Sequence, residues 1–246
     1  MNNIINTKEY NDRKIEFLSE EFGREGYVKL PNFFSDVYFK ALNDEIARLS
    51  KHKLRRDFIM QEYDSPRNLS VLGGSLIKKE SAALLALYNM DLIRFYLSSL
   101  TKTEIHPVKH TEEYMVVNIL DGARDTHGWH LDDPDYALII CLEAPSEGCG
   151  GDIEYVKDWQ NFCLENREKT SLSELIRLAS EDGRIIRDHL NTYECYLLHA
   201  SKSMHRVTPL TCDNQRRVAI NLAFHSRPNI DFGTTADQLY GAGQNA

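Results

Sequence analysis

The chain has 246 residues, of which 42% are hydrophobic, 10% aromatic and 27% charged, an ordinary globular composition with enough apolar side chains to fill one core. No apolar run approaches the roughly 20 residues of a membrane span, and the amino-terminal MNNIINTKEYNDRK has no apolar signal core; a cytoplasmic protein with no membrane partner is expected. The formal net charge of −8 lacks the basic surplus that displaces counterions from a phosphate backbone, which argues against a nucleic-acid partner and favours a small, cationic one. Five cysteines, Cys141, Cys149, Cys163, Cys195 and Cys212, show no CxxC spacing and read as reduced thiols rather than a disulfide framework or zinc knuckle. Association of copies is left open.

Over residues 7–22 the apolar positions Tyr10, Ile15, Leu18 and Phe22 recur at helical spacing, and Gly23 and Gly26 end the pattern. A short strand over 27–30 closes at Pro31, and Ser35 opens a second helix reaching 49. The charges at 51–56 read as an exposed loop, and 56–75, with Pro66 and Gly73-Gly74, as irregular chain. A third helix is expected over 80–97, with Leu84, Leu85, Leu87, Leu92, Ile93 and Tyr96 on its buried side. After Pro107 the character changes to short β-rich runs at 114–120, 136–142, 152–156, 193–198 and 218–224, interrupted by a polar, helix-favouring insertion at 159–181 that can start within 170–174. A tail spans 233–246, in which 241–244 is expected to be flexible.

Helices followed by many short strands predict an α+β fold in a single domain over 1–246. A double-sheet jelly roll over 107–232 would be buttressed by a mainly helical 1–106. Several other α+β folds share that pattern.

The segment Asp125-Thr126-His127-Gly128-Trp129-His130-Leu131-Asp132-Asp133 gathers two imidazoles and three carboxylates beside an apolar run. On extended backbone, residues i and i+2 share a face, so His130 and Asp132 can present a nitrogen and an oxygen to one ion. A second histidine would complete a two-His, one-carboxylate face, whose open positions suit non-haem Fe(II) holding a bidentate co-substrate and O2. His205 is the best choice and His199 its rival. A hairpin through the polar turn 211–215 would bring His205 beside the returning strand and an arginine near the ion. Arginine can take a carboxylate of 2-oxoglutarate by two parallel hydrogen bonds. Arg217 shares its face with Ala219 and Asn221 and is preferred, whereas Arg216 goes with Val218, Ile220 and Leu222 and is the second choice.

Together, His130-Leu131-Asp132, a distal His205 with Val207, the arginine that follows and Gly150-Gly151-Asp152 resemble the Fe(II)/2-oxoglutarate oxygenase superfamily. Its double-stranded β-helix, a cupin-like jelly roll, is the fold this resemblance implies. The strings His127-Gly128-Trp129-His130 and Tyr136-Ala137-Leu138-Ile139 look like the carrier-independent amino-acid halogenases and hydroxylases, whose members act on free lysine and related amino acids. In the halogenases a small residue replaces the carboxylate ligand and opens an iron position for chloride. Asp132 occupies that place here, so the resemblance implies hydroxylation, with succinate and CO2 as co-products.

Carried over position by position, Arg67 would clamp the substrate carboxylate, Glu113 and Asp133 would neutralise its ammonium groups, and His127 and Asn221 would add hydrogen bonds. The family's threonine two places beyond Asn221 is Ala223 here, which bears on substrate identity. Arg67, Glu113 and Asp133 also fit surface ion pairs, His127 a group that orients the loop, and Trp129 and Tyr240 either pocket wall or packing. The expected activity is hydroxylation of an unactivated C–H bond of a free cationic amino acid such as lysine. A carrier-tethered, peptide or other small-metabolite substrate, or a silent metal-binding jelly roll, are the alternatives.

Overall fold

The computed structural model describes residues 4–168, 171–230 and 235–241. The first amphipathic stretch folds as α1 (Asp12–Glu25): Asn11 accepts from the Lys14 N–H, Gly26 ends the helix at φ 67°, and Leu18 and Phe22 face inward. β1 (Tyr27–Leu30) and α2 (Asp36–Leu49) follow as the pattern predicts.

The next segment departs from the expectation of loop and irregular chain. β2 (Leu54–Met60) and β3 (Ser65–Leu72) form a hairpin in register from Leu54↔Val71 to Met60↔Ser65. Arg55, Asp57 and Ile59 point to solvent, while Arg56 and Met60 are buried. The alternation is therefore one of burial rather than hydrophobicity, and a charged inward residue hid it. Residues 1–106 accordingly contribute strands to the sheets as well as helices. The single helix expected over 80–97 is two, α4 (Ala82–Tyr88) and α5 (Asp91–Thr101), preceded by a further helix, α3 (Gly74–Glu80), that starts in the segment read as irregular. The Ser81 hydroxyl caps α4 by accepting from the Leu84 N–H at 3.2 Å, which favours a new start over a continuous helix.

The remaining elements are β4 (His106–Pro107), β5 (Met115–Leu120), β6 (Thr126–His130), β7 (Tyr136–Glu143), β8 (Ile153–Val156), α6 (Trp159–Glu165), α7 (Leu172–Glu181), β9 (Ile185–Asp188), β10 (Cys195–Leu198), β11 (Met204–Val207), β12 (Arg217–His225) and α8 (Thr235–Tyr240). Ser171 caps α7 by accepting from the Glu174 N–H, while 169–170 lie outside the described residues. α8 stands where a tail was expected; of the segment expected to be flexible, 242–244 lie outside the described residues.

The strands pair in the order β1-β10-β7-β12-β5-β3-β6-β11-β8-β9, every pairing antiparallel. β3 joins the two layers, pairing β5 through Ser70–Leu72 and β6 through Arg67 and Asn68. The sheet curls into a jelly roll, the expected fold class. Val218, Ile220 and Leu222 of β12 pack with Leu84, Leu97 and Phe39 in the main core beneath the helices, which turns Arg217, Ala219 and Asn221 toward the space between the layers.

A correction concerns the cysteines. Cys149 and Cys212 are joined in a disulfide across 63 residues, leaving Cys141, Cys163 and Cys195 free. Both lie in loops at one end of the barrel, and Thr211 N–H donates to the Cys149 carbonyl at 2.9 Å beside the bond. An odd count at long spacing gives no local sign of such a pair. Among the described residues no helix is long and apolar enough to cross a membrane.

Candidate metal centre and active site

His130 ends β6 and His205 lies on β11, and the two are direct cross-strand partners with rings 4.2 Å apart between centroids. Asp132 follows two residues beyond β6, where its N–H donates to the Ala200 carbonyl at 3.1 Å. Its Oδ1 is 3.3 Å from His130 Nε2 and 3.8 Å from His205 Nε2. One ligand atom from each residue falls within 4.8 Å of the others.

Both imidazoles are oriented alike. His130 Nδ1 meets the Gly128 carbonyl at 2.7 Å and His205 Nδ1 the Ser203 carbonyl at 2.8 Å. A carbonyl only accepts, so each Nδ1 carries the proton and each Nε2 keeps its lone pair toward the centre, the tautomer a metal needs. Burial and the neighbouring His130 lower the His205 pKa to about 4 against the pull of Asp132, so that imidazole is neutral at pH 7. Burial works against ionisation of Asp132, but its contact with His130 and the proximity of His205 and the Arg67 cation outweigh it and hold the carboxyl below its ordinary value. Two imidazoles and one carboxylate fit a divalent first-row metal, and they fit the Fe(II) used by oxygenases of this fold.

Strand parity alone does not explain His127. Its ring lies 4.1 Å from that of His130, although the residues are three apart. The register shifts here: His205 faces His130 and Val207 faces His127, so three residues of β6 span two of β11. This bulge turns both histidines to one side. Gly128 sits within it because a Cβ there would come 2.8 Å from the Pro66 carbonyl of the crossing β3. Trp129 points the other way, packing with Val156, Trp159 and Phe162 under the Arg206 guanidinium.

Two cavities meet at the cluster. The deeper one is lined by His127, His130, Asp132, His205, Asn118, Tyr196, Asn221 and Arg217. Arg217 is 2% exposed and its Nη2 has no partner; Tyr196 lines the same cavity. Arg216 is instead tied to Glu143 at 2.7 Å near the surface. Arg217 reaches the cavity from the layer opposite His205. The expected hairpin is therefore corrected: β11 pairs β6 and β8, whereas β12 pairs β5 and β7. The polar turn carries the chain from one sheet to the other instead of folding it back.

The outer cavity is lined by Arg67, Glu113, Asp133, Asn221 and Ala223 together with His130 and Asp132. Arg67 is 1% exposed and is not a surface ion pair: Nη1 donates to the Gly128 and Pro66 carbonyls at 3.2 Å and Nε has no partner. Burial first, then the nearby Asp133 and Asp132, raise the Glu113 pKa to about 8; burial, Asp132 and Glu62 also raise that of Asp133. Two carboxyls that resist ionisation beside an under-satisfied guanidinium make a cavity short of positive charge at one end and of negative charge at the other. His127, expected among the substrate residues, lines the deeper cavity. His199 stacks on Phe22 and Tyr136 and is not part of the cluster.

Residues 10–241 match the model of the family described as HalD, Halogenase D. The chain belongs to this family. No curated protein sequence matches it. Among solved structures, the chain is similar to the non-heme alpha ketoglutarate dependent epimerase SnoN from nogalamycin biosynthesis (15% identity, 96% of this chain and 93% of that one, TM-score 0.64). SnoN in complex with Fe3+, alpha ketoglutarate and nogalamycin RO matches equally fully (14% identity, 96% and 93%, TM-score 0.65). A Trichoplax adhaerens prolyl hydroxylase in complex with a hypoxia inducible factor peptide fragment aligns at 14% identity over 89% of this chain and 92% of that one, with a TM-score of 0.60. At such identities the likeness is one of fold, the jelly roll of the 2-oxoglutarate oxygenases.

Against that fold, the HalD-family chain shows wall residues that sequence reasoning missed. Asn118 was detectable as a lone polar residue in the apolar run Met115–Leu120. Tyr196 carried no such signal. Met60 and Tyr63 come from the β2–β3 hairpin, and Thr235 and Leu239 from α8, both in segments read as loop or tail; Tyr240, weighed as pocket wall or packing, lines the cavity with them.

Proposed function

We propose that this chain is an Fe(II)- and 2-oxoglutarate-dependent hydroxylase of a free cationic amino acid such as lysine. The observation that carries the reading is the outer cavity, where buried Arg67 faces Glu113 and Asp133 beside the His130–Asp132–His205 cluster. Iron bound with 2-oxoglutarate and O2 supplies an oxidant able to take a hydrogen atom from an unactivated C–H bond, leaving succinate and CO2.

The chain's own residues do the rest. His130, Asp132 and His205 hold the metal and leave one face open. Arg217 takes the distal carboxylate of 2-oxoglutarate with its unpaired Nη2, and Tyr196 offers a second hydrogen bond. On the substrate side, Arg67 takes the amino-acid carboxylate, Glu113 and Asp133 take the ammonium groups, and Asn221 stands between the two cavities. His127, placed on the deeper side, orients the centre. Catalysis is then largely a matter of fixing one C–H bond near the iron and excluding water. Asp132 fills the position that a halide would need, which favours hydroxylation in a family described by halogenation.

The test is succinate formation with Fe(II) and 2-oxoglutarate across the free amino acids, with mass-spectrometric detection of one added oxygen. Stimulation only by peptide or carrier-tethered substrates would select those instead. Chlorinated product from the unmutated enzyme would overturn the role given to Asp132, and Fe(II) binding without any 2-oxoglutarate turnover would mark a silent module.

Glu113→Gln is expected to raise the KM for the amino acid about tenfold or more, the usual cost of a lost charge-assisted hydrogen bond, without changing the KM for 2-oxoglutarate. The same variant changes the pH dependence of stability. In the folded, metal-free protein the Glu113 pKa is raised from 4.5 to about 8, so the folded state holds more protons than the unfolded state between these values and loses stability as pH rises. His205 acts in the opposite sense, its pKa being lowered from 6.5 to about 4, and adds stability as pH rises through that window. Above pH 6.5 the Glu113 contribution therefore stands apart from that of His205. Melting of the metal-free protein should fall less from pH 6.5 to 8 in Glu113→Gln than in the parent, and parallel curves would refute the assignment.

A further inference from the structure

Arg56 lies on β2 with its side chain turned inward and 7% exposed. It makes no ion pair with a described carboxylate. Its Nε instead donates to the Leu239 carbonyl at 2.7 Å and its Nη2 to the Gly241 carbonyl. These acceptors close the carboxy-terminal end of α8, where the last carbonyls lack partners within the helix and the helix dipole favours a cation. A helix of six residues does not persist in water by itself.

The position of α8 matters because Thr235, Leu239 and Tyr240 line the outer cavity together with Arg67 and Glu113, whereas Arg56 does not line it. Ala236 and Tyr240 pack with Leu69, Val71 and Val116 beneath the helix. On the other flank, a Cβ at Gly73 would stand 2.5 Å from the Tyr240 carbonyl, so this glycine lets the end of α8 settle against the start of α3. The helix is thus seated between a buried guanidinium and a glycine that makes room for it.

We propose that Arg56 is a positioning residue which holds α8 closed over the outer cavity and so shapes the site around the substrate. It rests on the reading of that cavity as the substrate's. Because the guanidinium binds backbone carbonyls, its action does not depend on which side chains α8 presents. Removing it frees the helix and leaves the metal cluster and the Arg217 side intact.

The test is hydrogen exchange on enzyme loaded with Fe(II) and 2-oxoglutarate, with lysine kinetics on the same samples. In Arg56→Met the amides of 235–241 should exchange about tenfold faster or more, while those of β5 and β12 stay as in the parent. The KM for lysine should rise about tenfold with an unchanged KM for 2-oxoglutarate. Arg56→Lys, which keeps the charge and part of the donor set, should show the same pattern at about threefold and carries the test should the methionine variant not fold. Gly73→Ala, pressing on α8 from the other flank, should reproduce faster exchange and the raised lysine KM. Unchanged exchange in 235–241 in both Arg56 variants would overturn the proposal, as would faster exchange with an unchanged lysine KM. If no cationic amino acid stimulates the parent enzyme, the substrate reading fails, while the exchange comparison still decides whether Arg56 holds the helix.

Discussion

Asp132→Ala should lower substrate-dependent succinate formation by about a thousandfold or more while near-UV circular dichroism stays that of the parent. His130 and His205 would offer a metal their Nε2 atoms as neutral donors, their Nδ1 atoms being bound to backbone carbonyls. Asp132 is therefore the only anionic member of the cluster. Its loss leaves two imidazoles facing a divalent cation with no charge to offset it, and several kcal/mol of metal binding and orientation go with it, at about 1.4 kcal/mol per tenfold. Removal of iron by a chelator should reproduce the loss in the parent and be reversed by added Fe(II). Activity of the Asp132→Ala enzyme within tenfold of the parent would remove Asp132 from the ligand set. The side chain is 17% exposed and ends no strand, so a general collapse of the fold would not be the explanation for a large effect.

Arg217→Met should raise the KM for 2-oxoglutarate about a hundredfold or more and leave the amino-acid KM near that of the parent. The expected size follows from two charge-assisted hydrogen bonds, each contributing about 1.5–3 kcal/mol. Arg217 is buried and its Nη2 has no partner, a costly arrangement unless an anion completes it. Arg217→Lys should recover only part of the affinity, since an ammonium cannot present the planar fork. Arg216→Met is the internal control. Arg216 is paired with Glu143 at the surface, and its loss should change the 2-oxoglutarate KM less than about twofold, as exposed ion pairs contribute little. A larger effect from Arg216 than from Arg217 would exchange their roles.

Which parts were legible depended on the range of the signal. HxD spacing and two-residue parity are local, and they suffice to single out His130 with Asp132 and to prefer Arg217 over Arg216. His205 joins His130 and Asp132 in one cluster, but not through the hairpin expected for it. Its real partner is His130 across the β6–β11 ladder, a contact between segments 75 residues apart that no turn chemistry announces. The strands near the carboxy-terminal half were visible because apolar, β-branched runs were bounded by turn residues. β2 and β3 were not, because Arg56 and Arg67 are buried cations that donate to backbone carbonyls, and sequence patterning reads a charge as surface.

By itself, then, the sequence determined the fold class and the residue types of a candidate metal cluster, two imidazoles and a carboxylate. The reason is physical: ligands two apart on one extended segment need no tertiary information to share a face. Only the tertiary structure decided how the side chains divide between the two cavities. It placed His127 on the deeper side through a bulge, joined Cys149 to Cys212, and made the wall of the outer cavity from β2, β3 and a carboxy-terminal helix. Those features rest on strand ladders, on a covalent link between two loops and on buried charges answered by distant backbone carbonyls, and such interactions exist only once the chain has closed upon itself.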